Sequence, residues 1–403
     1  MNSTTWKQVS GESGGTAAGG AWLARVSGGT QSFYQTFTAV AADRASERLT
    51  TEQTTPSNFF TISGQWTRAF RSVSFLAGAE GHRTKSTVQE FRYAFGTGAK
   101  TGPFDTTGTE TGSAVFARAS FQPQSRLTIV AGGRGDFWQS TPQDPTLPTH
   151  NADFFSPRVS AGVHLSDTAS VHAAVYRSYR TPSLNELYRG FRVGNAVTNP
   201  NAALDPERLT GVEGGVLLTH GMLSTRVTVY TNQLDHAITN VTLSITPTLI
   251  TRERENTQTL RSTGIEAEAD LHPSRRWTIG AVAVGTDAHY ATTPEQPQIQ
   301  GNRVPEVPTF QLGGNLTYSD PHGFTGAVQS RAFGSAYDDD LNLYRLNGYG
   351  VVDVSASQQL LHGTNVFVAV ENLFNKDYDT GRTPIRTIGW PRTARVGVRV
   401  FLP

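Results

Sequence analysis

Tyr188, Arg189, Phe191 and Arg192 put two aromatic faces beside two guanidinium groups in one short segment. That combination suits an anionic, conjugated ligand, which can stack on a ring while accepting charge-assisted hydrogen bonds. Tyr344-Arg345 and Ile388-Gly389-Trp390 repeat the theme on a smaller scale further along the chain. Aromatics near strand ends also form the girdles of membrane barrels. Both readings stay open for Tyr188, and the girdle is the better one for Trp390.

Other candidate chemistries dissolve on inspection. Gly11-Glu12-Ser13-Gly14-Gly15 mimics the neighbourhood of a nucleophilic serine, but no histidine precedes His82, and a triad is defined by geometry and roles. Arg134-Gly135-Asp136 spells an integrin-binding tripeptide, yet in a strand Arg134 and Asp136 share one face. Histidines are scattered singly, without ligand spacing; His164 and His172, flanking a turn, read as solvated side chains. Asp338-Asp339-Asp340 lacks the glycine-bracketed loop of a calcium site and reads as a solvated charge run. Together with His289 it makes no hydrolytic set, since these residues fall in different loops. With no cysteine in the chain there is no thiolate site or cysteine nucleophile. The sequence therefore predicts no catalytic residue, no metal site and no cofactor: not an enzyme.

A ligand surface needs elements to hold it, and the connections show which. Ser27-Gly28-Gly29, Ala69-Phe70-Arg71, Gln122-Pro123-Gln124-Ser125, Ser166-Asp167-Thr168 and Thr219-His220-Gly221 read as tight turns. So do His272-Pro273-Ser274, Asp320-Pro321-His322-Gly323 and Leu361-His362-Gly363. Between them lie long polar stretches, roughly 44–57, 84–110, 139–152, 181–207, 242–250, 291–305, 337–347 and 374–391. Short turns on one rim and long loops on the other are the signature of an antiparallel meander crossing an outer membrane as a β-barrel. About seventeen apolar-alternating strands are expected.

Composition agrees. Only 37% of residues are hydrophobic, and no run approaches the ~18 apolar residues of a membrane helix. A barrel strand needs apolar residues only at alternate positions. In Gly264–Leu271, Ile265, Ala267, Ala269 and Leu271 take one face while Glu266, Glu268 and Asp270 take the other, which must be wet. With Lys+Arg at 34 and Asp+Glu at 33, nothing points to nucleic acid.

Four segments then become familiar. Tyr176-Arg177-Ser178-Tyr179-Arg180-Thr181-Pro182-Ser183-Leu184-Asn185-Glu186-Leu187-Tyr188 resembles the lead into a long outer loop of TonB-dependent outer-membrane receptors. Asn199-Pro200-Asn201 with Leu204-Asp205-Pro206-Glu207 resembles that family's entry to the next strand. Gly264-Ile265-Glu266 and Glu371-Asn372-Leu373-Phe374-Asn375-Lys376-Asp377-Tyr378 resemble two later family motifs, in the family's order. The resemblance spans roughly residues 18–402 and is nearest the cobalamin and siderophore branch.

It implies a partial all-β antiparallel transmembrane barrel over 18–403, with 1–17 a remnant of an outer loop. It also implies uptake of a scarce chelate, siderophore-iron or cobalamin in class, across the cell outer membrane, with membrane lipid, a small chelate and TonB as partners. The family barrel has about 22 strands around an N-terminal plug. Against that pattern this chain reads as a fragment without five strands, plug, TonB docking box or signal peptide. Family members usually end on an aromatic residue, whereas alternation here gives the outward terminal position to Leu402, not Phe401. A passive porin-like channel is the alternative function.

Overall fold

A period of two is enough to build this chain's local structure. Where β-branched and aromatic residues alternate with small or polar ones, an extended backbone sends the two sets to opposite faces. In Thr393–Val400, Val396, Val398 and Val400 stand 82%, 63% and 58% exposed, while Arg395 pairs with Glu371. Apolar side chains presented that way on successive strands suit a lipid surround.

The computed structural model describes residues 2–41, 45–94, 96–193, 195–246, 249–294, 296–361, 363–383 and 386–400. Among them the main sheet has nineteen strands. Two of these are the short segments Phe191–Val193 and Ala196–Asn199, which leaves seventeen long strands, the number that alternation predicts. No helix among the described residues is long and apolar enough to cross a membrane. The terminal residues Phe401 and Leu402, whose outward order the sequence assigns, lie outside the described residues, as does His362 of the last predicted turn.

The chain forms two compact units. The first comprises Met1–Ala161, Val175–Thr210 and Leu234–Thr259. In it β1 (Ser3–Ala17), β2 (Gly20–Val40), β3 (Glu47–Phe70), β4 (Val73–Tyr93), β5 (Lys100–Gln124) and β6 (Leu127–Pro142) pair in order as antiparallel ladders. Polar residues knit one face: Arg134 bonds Glu80 at 2.5 Å and Asp136 at 2.8 Å, so the Arg134-Gly135-Asp136 tripeptide is strand, as expected. Phe60, Ile62 and Val115 stand exposed on the other. The second unit, Gly162–Ala174, Gly211–Gln233 and Leu260–Pro403, continues the pattern. Trp277–Thr292, Phe310–Ser319, Phe324–Phe333, Tyr349–Leu361, Thr364–Glu371 and Thr393–Val400 pair antiparallel in sequence order.

Three expectations need correction. Residues 1–17 are not an outer loop: Ser3–Ala17 is a strand, every residue exposed, registered on β2 from Ser3↔Tyr34 to Ala17↔Gly20. Cross-strand pairs such as Glu12 with Arg25, at 2.5 Å, supply the specificity that its bland composition hides. Second, Ser27-Gly28-Gly29 is not a turn, because β2 runs through it and the turn falls at Ala18-Gly19, both at positive φ. Gly29 serves close packing instead: a Cβ there would come within 2.9 Å of the Phe59 ring, which stacks on Trp6 at 5.0 Å. Third, the polar stretches 44–57 and 84–110 are mostly strand. β2 to β5 run 21 to 25 residues, against the roughly 9–11 that cross a bilayer. Beyond the hydrocarbon both strand faces meet water, so the alternation fades while the ladder persists, as at Tyr93↔Lys100.

Candidate ligand site

The segment after the strand Ala169–Arg180 is the least regular part of the first unit and the most heavily anchored. Ser183 caps the short helix α1 (Leu184–Tyr188): its side chain accepts from Glu186 N, and the Glu186 carboxylate accepts from Ser183 N at 2.8 Å. This reciprocal box satisfies two N–H groups the helix start would otherwise leave open. The Arg180 fork grips the same carboxylate at 2.9 and 3.1 Å, and its Nε donates to Glu207. Burial alone would raise the Glu186 carboxyl, but the bonds from Arg180 and Ser183 outweigh it and hold the group below its ordinary range. Farther on, Phe191–Val193 pairs antiparallel with Ala196–Thr198, and Ala196–Asn199 pairs parallel with Ile250–Glu253. The family-like Tyr176–Tyr188 and Asn199–Glu207 segments are thus the fasteners of one connection.

Tyr188 is one of those fasteners. It is 6% exposed, packs with Trp138, Leu187 and Leu204, and its hydroxyl lies 3.1 Å from Ser140 Oγ. Only its edge borders a cavity of about 290 Å³ that Arg189 also lines. The burial that fixes it there raises its phenol above the ordinary value.

Beside it opens a cavity of about 640 Å³. Arg189, Phe191 and Arg192 form one wall, as the sequence groups them; Phe37, Arg48, Arg92, Tyr93 and Phe104, from β2 to β5, form the rest. Among the residues that line it are four guanidinium groups and one carboxylate, Glu90. Glu90 is itself engaged, by Arg92 Nε at 2.6 Å and Gln53 at 3.1 Å. Arg92 lies 4.5 Å over the Phe104 ring, and Arg189 and Arg254 lie 5.9 and 5.0 Å from the Phe191 centroid. Arg189 Nη1 donates to Asn185 Oδ1 at 3.0 Å, whereas its buried Nε has no hydrogen-bond partner among the described residues. Burial lowers this guanidinium from its ordinary value. Cationic groups held around aromatic faces in a concave site can receive an anionic, ring-bearing ligand.

Sequence reading missed Arg48, Arg92, Tyr93 and Phe104 because it treated their segments as connections, and Phe37 because it read that residue only as part of a strand. The usable signal was the aromatic-basic run Phe91-Arg92-Tyr93. Tyr344, Arg345 and Trp390 belong to the second unit and are not part of this lining. The Asp339 carboxylate accepts from Leu343 N and Tyr344 N at 3.1 and 2.8 Å, and Arg345 pairs with Tyr337. Trp390 is 76% exposed, its carbonyl accepting from Asn372 Nδ2 at 3.0 Å. Asp339 and Asp340 are 4% and 3% exposed, and Asp338 accepts from Arg382 N, Thr383 N and Thr383 Oγ1. The triple-aspartate run is therefore a set of loop fasteners, not a solvated charge run, because neighbouring backbone amides converge on it.

Comparison with known proteins matches this architecture. A family description, "TonB dependent receptor-like, beta-barrel", fits residues 3–373. The ferrichrome outer membrane transporter/phage receptor of Escherichia coli is 31% identical over 127 residues, 30% of this chain and 17% of that protein. The pesticin receptor of Yersinia pestis is 24% identical over 267 residues, 62% of this chain and 36% of its own length. Among solved structures, the copper transporter OprC superposes with a TM-score of 0.79 at 15% identity, covering 98% of this chain and 66% of its own. The ferric yersiniabactin uptake receptor FyuA from Yersinia pestis gives 0.71 at 16% identity, covering 99% and 61%. The chain thus spans about a sixth to a third of those curated relatives and under two thirds of those solved chains. Strands, motifs and family match agree: the chain belongs to the TonB-dependent receptor β-barrel family.

Proposed function

We propose that this chain is the barrel of an outer-membrane receptor that captures an anionic metal chelate in the arginine-lined cavity. In the complete receptor the chelate crosses the outer membrane with energy relayed by TonB. The observation that carries the reading is the gathering of four guanidinium groups and several aromatic rings, with one carboxylate, in the lining of a cavity of about 640 Å³. Such a field raises the local concentration of an anionic ligand and favours it over a neutral one. The printed names of two relatives, a ferrichrome outer membrane transporter and a ferric yersiniabactin uptake receptor, support the reading. Nothing in the family match or the relatives favours a passive porin-like channel.

The test is a titration of the purified protein with a ferric tris-catecholate, Fe(III) held by three 2,3-dihydroxybenzoates, beside a neutral ferric hydroxamate. Saturable binding of the anionic chelate, weakened by salt, supports the reading. Unselective ion conductance in planar bilayers without saturable binding would overturn it in favour of a channel. Uptake of iron-55 by cells carrying the barrel within a complete receptor should stop when the proton-motive force is collapsed.

A further inference from the structure

Arg254 sits on Ile250–Ser274 behind the cavity wall and is 5% exposed. Its Nη1 donates to the carbonyls of Asn185 and Arg189 at 2.8 and 2.7 Å, gripping a residue of α1 and the first residue after it. Its guanidinium carbon lies over the Phe191 ring, 5.0 Å from the centroid, and its own carbonyl accepts from Asn201 Nδ2 at 3.0 Å. One side chain thus touches the segment that presents Arg189 and Phe191 at several points.

Its charge is as unusual as its contacts. No carboxylate among the described residues lies within ion-pair distance of Arg254 or of Arg189; Glu186 acts on Arg254 and Glu90 on Arg189 only from farther away, and both are engaged elsewhere, Glu186 by Arg180 and Ser183 and Glu90 by Arg92 and Gln53. A buried cation normally has a counter-ion, because its lost hydration is otherwise uncompensated. Carbonyl dipoles repay part of that loss and leave the charge itself. The two guanidinium groups also repel each other in a low-dielectric wall. An anion entering the cavity would relieve both deficits at once.

We propose that Arg254 is a positioning residue of the chelate cavity, holding its Arg189–Phe191 wall in register and supplying a buried positive charge, without an ion-pair partner among the described residues, to the bound anion. This rests on the chelate-capture reading above. Arg254 does not line the cavity, so it acts through Arg189 and Phe191 and through its field.

The experiment is a salt-series titration of the purified chain with the ferric tris-catecholate, comparing the unaltered protein with R254Q, R254K and the double variant R189A/R192A. R254Q removes charge and grip together, so affinity should fall about tenfold or more, with a shallower dependence on salt. R254K keeps the charge but loses the guanidinium over the Phe191 ring and moves the donor nitrogen away from its two carbonyls, so the salt dependence should persist while affinity falls. A residue that merely stabilises the fold would lower the unfolding midpoint and leave the salt dependence unchanged in both variants; that pattern overturns the proposal. Wild-type affinity in R254K together with wild-type salt dependence in R254Q also overturns it. Should R254Q not refold, R254K decides alone: undiminished affinity is refutation. Loss of binding in R189A/R192A with none in R254Q leaves the functional reading standing and removes this one. Absence of binding by the unaltered chain removes both.

Discussion

Arg180 Nε donates to the Glu207 carboxylate, 27 positions further along the chain, and so closes the connection that carries the cavity wall. Glu207 also accepts from Ile238 N at 2.6 Å, and its side chain is only 9% exposed. Removing Arg180 strands a nearly buried acceptor, whereas removing the charge on Glu207 leaves a half-exposed arginine that water can serve. R180A should therefore destabilise more than E207Q, by about 1–3 kcal/mol against unfolding. Urea titration followed by tryptophan fluorescence measures both, and the reverse order would contradict the argument.

The α1 cap titrates. Glu186 is held below its ordinary value, near 4.3 for a free glutamate, so its folded form binds a proton less readily than its unfolded form. Its contribution is then fully present above about pH 4.5 and disappears as pH falls through the lower, folded value. Hydrogen exchange of the α1 amides, corrected for intrinsic rates, should accelerate below about pH 4. E186Q should show faster exchange at neutral pH and no such acid step.

Tyr188 separates packing from binding. Y188F loses one hydroxyl bond to Ser140, worth about 0.5–1.5 kcal/mol, and should bind the chelate as the parent does. Y188A empties a well-packed site among Trp138, Leu187 and Leu204 and should cost about 3–5 kcal/mol of stability. Calorimetry and binding isotherms together distinguish the two effects. A large affinity loss in Y188F would return this ring to the ligand surface.

Arg189 and Arg192 are the reverse case. Replacing both by alanine removes two charge-assisted donors from the cavity, so binding should weaken tenfold or more, as two such bonds at about 1.5–3 kcal/mol each allow. The salt dependence should flatten in parallel. E266Q, on a strand of the other unit, is the control and should leave affinity unchanged. An isotherm of the double variant matching the parent would reduce the cluster to interfacial decoration.

Connection parity sets sidedness. The chain has no native cysteine, so single cysteines report cleanly. Arg275 lies in a short turn, and Leu343, 63% exposed, lies in a long connection. In intact cells bearing the barrel in a complete receptor, a membrane-impermeant thiol reagent should label L343C and spare R275C. Equal labelling of both would refute the assignment of rims.

Local sequence carried the strands. Alternation of Ile265 with Glu266 or Val396 with Arg395 is a property of neighbouring residues, and a period of two needs no tertiary information to place them on opposite faces. The same holds for Asp320-Pro321-His322-Gly323, a turn in both readings, and for the Arg189, Phe191 and Arg192 grouping. What neighbours cannot specify is partnership across long intervals. Gly28-Gly29 looks like a turn until β1 and the Phe59 ring press against it; Tyr188 looks like a ligand contact until Trp138 and Leu204 enclose it. Asp339 looks solvated until the amides of Leu343 and Tyr344 fold back onto it. Arg48 and Arg92 join Arg189 only because ladders of more than twenty residues carry distant side chains to one cavity. Arg254 reaches Asn185 across 69 positions, an interval over which no local pattern operates, and only the paired strands decide which residues meet.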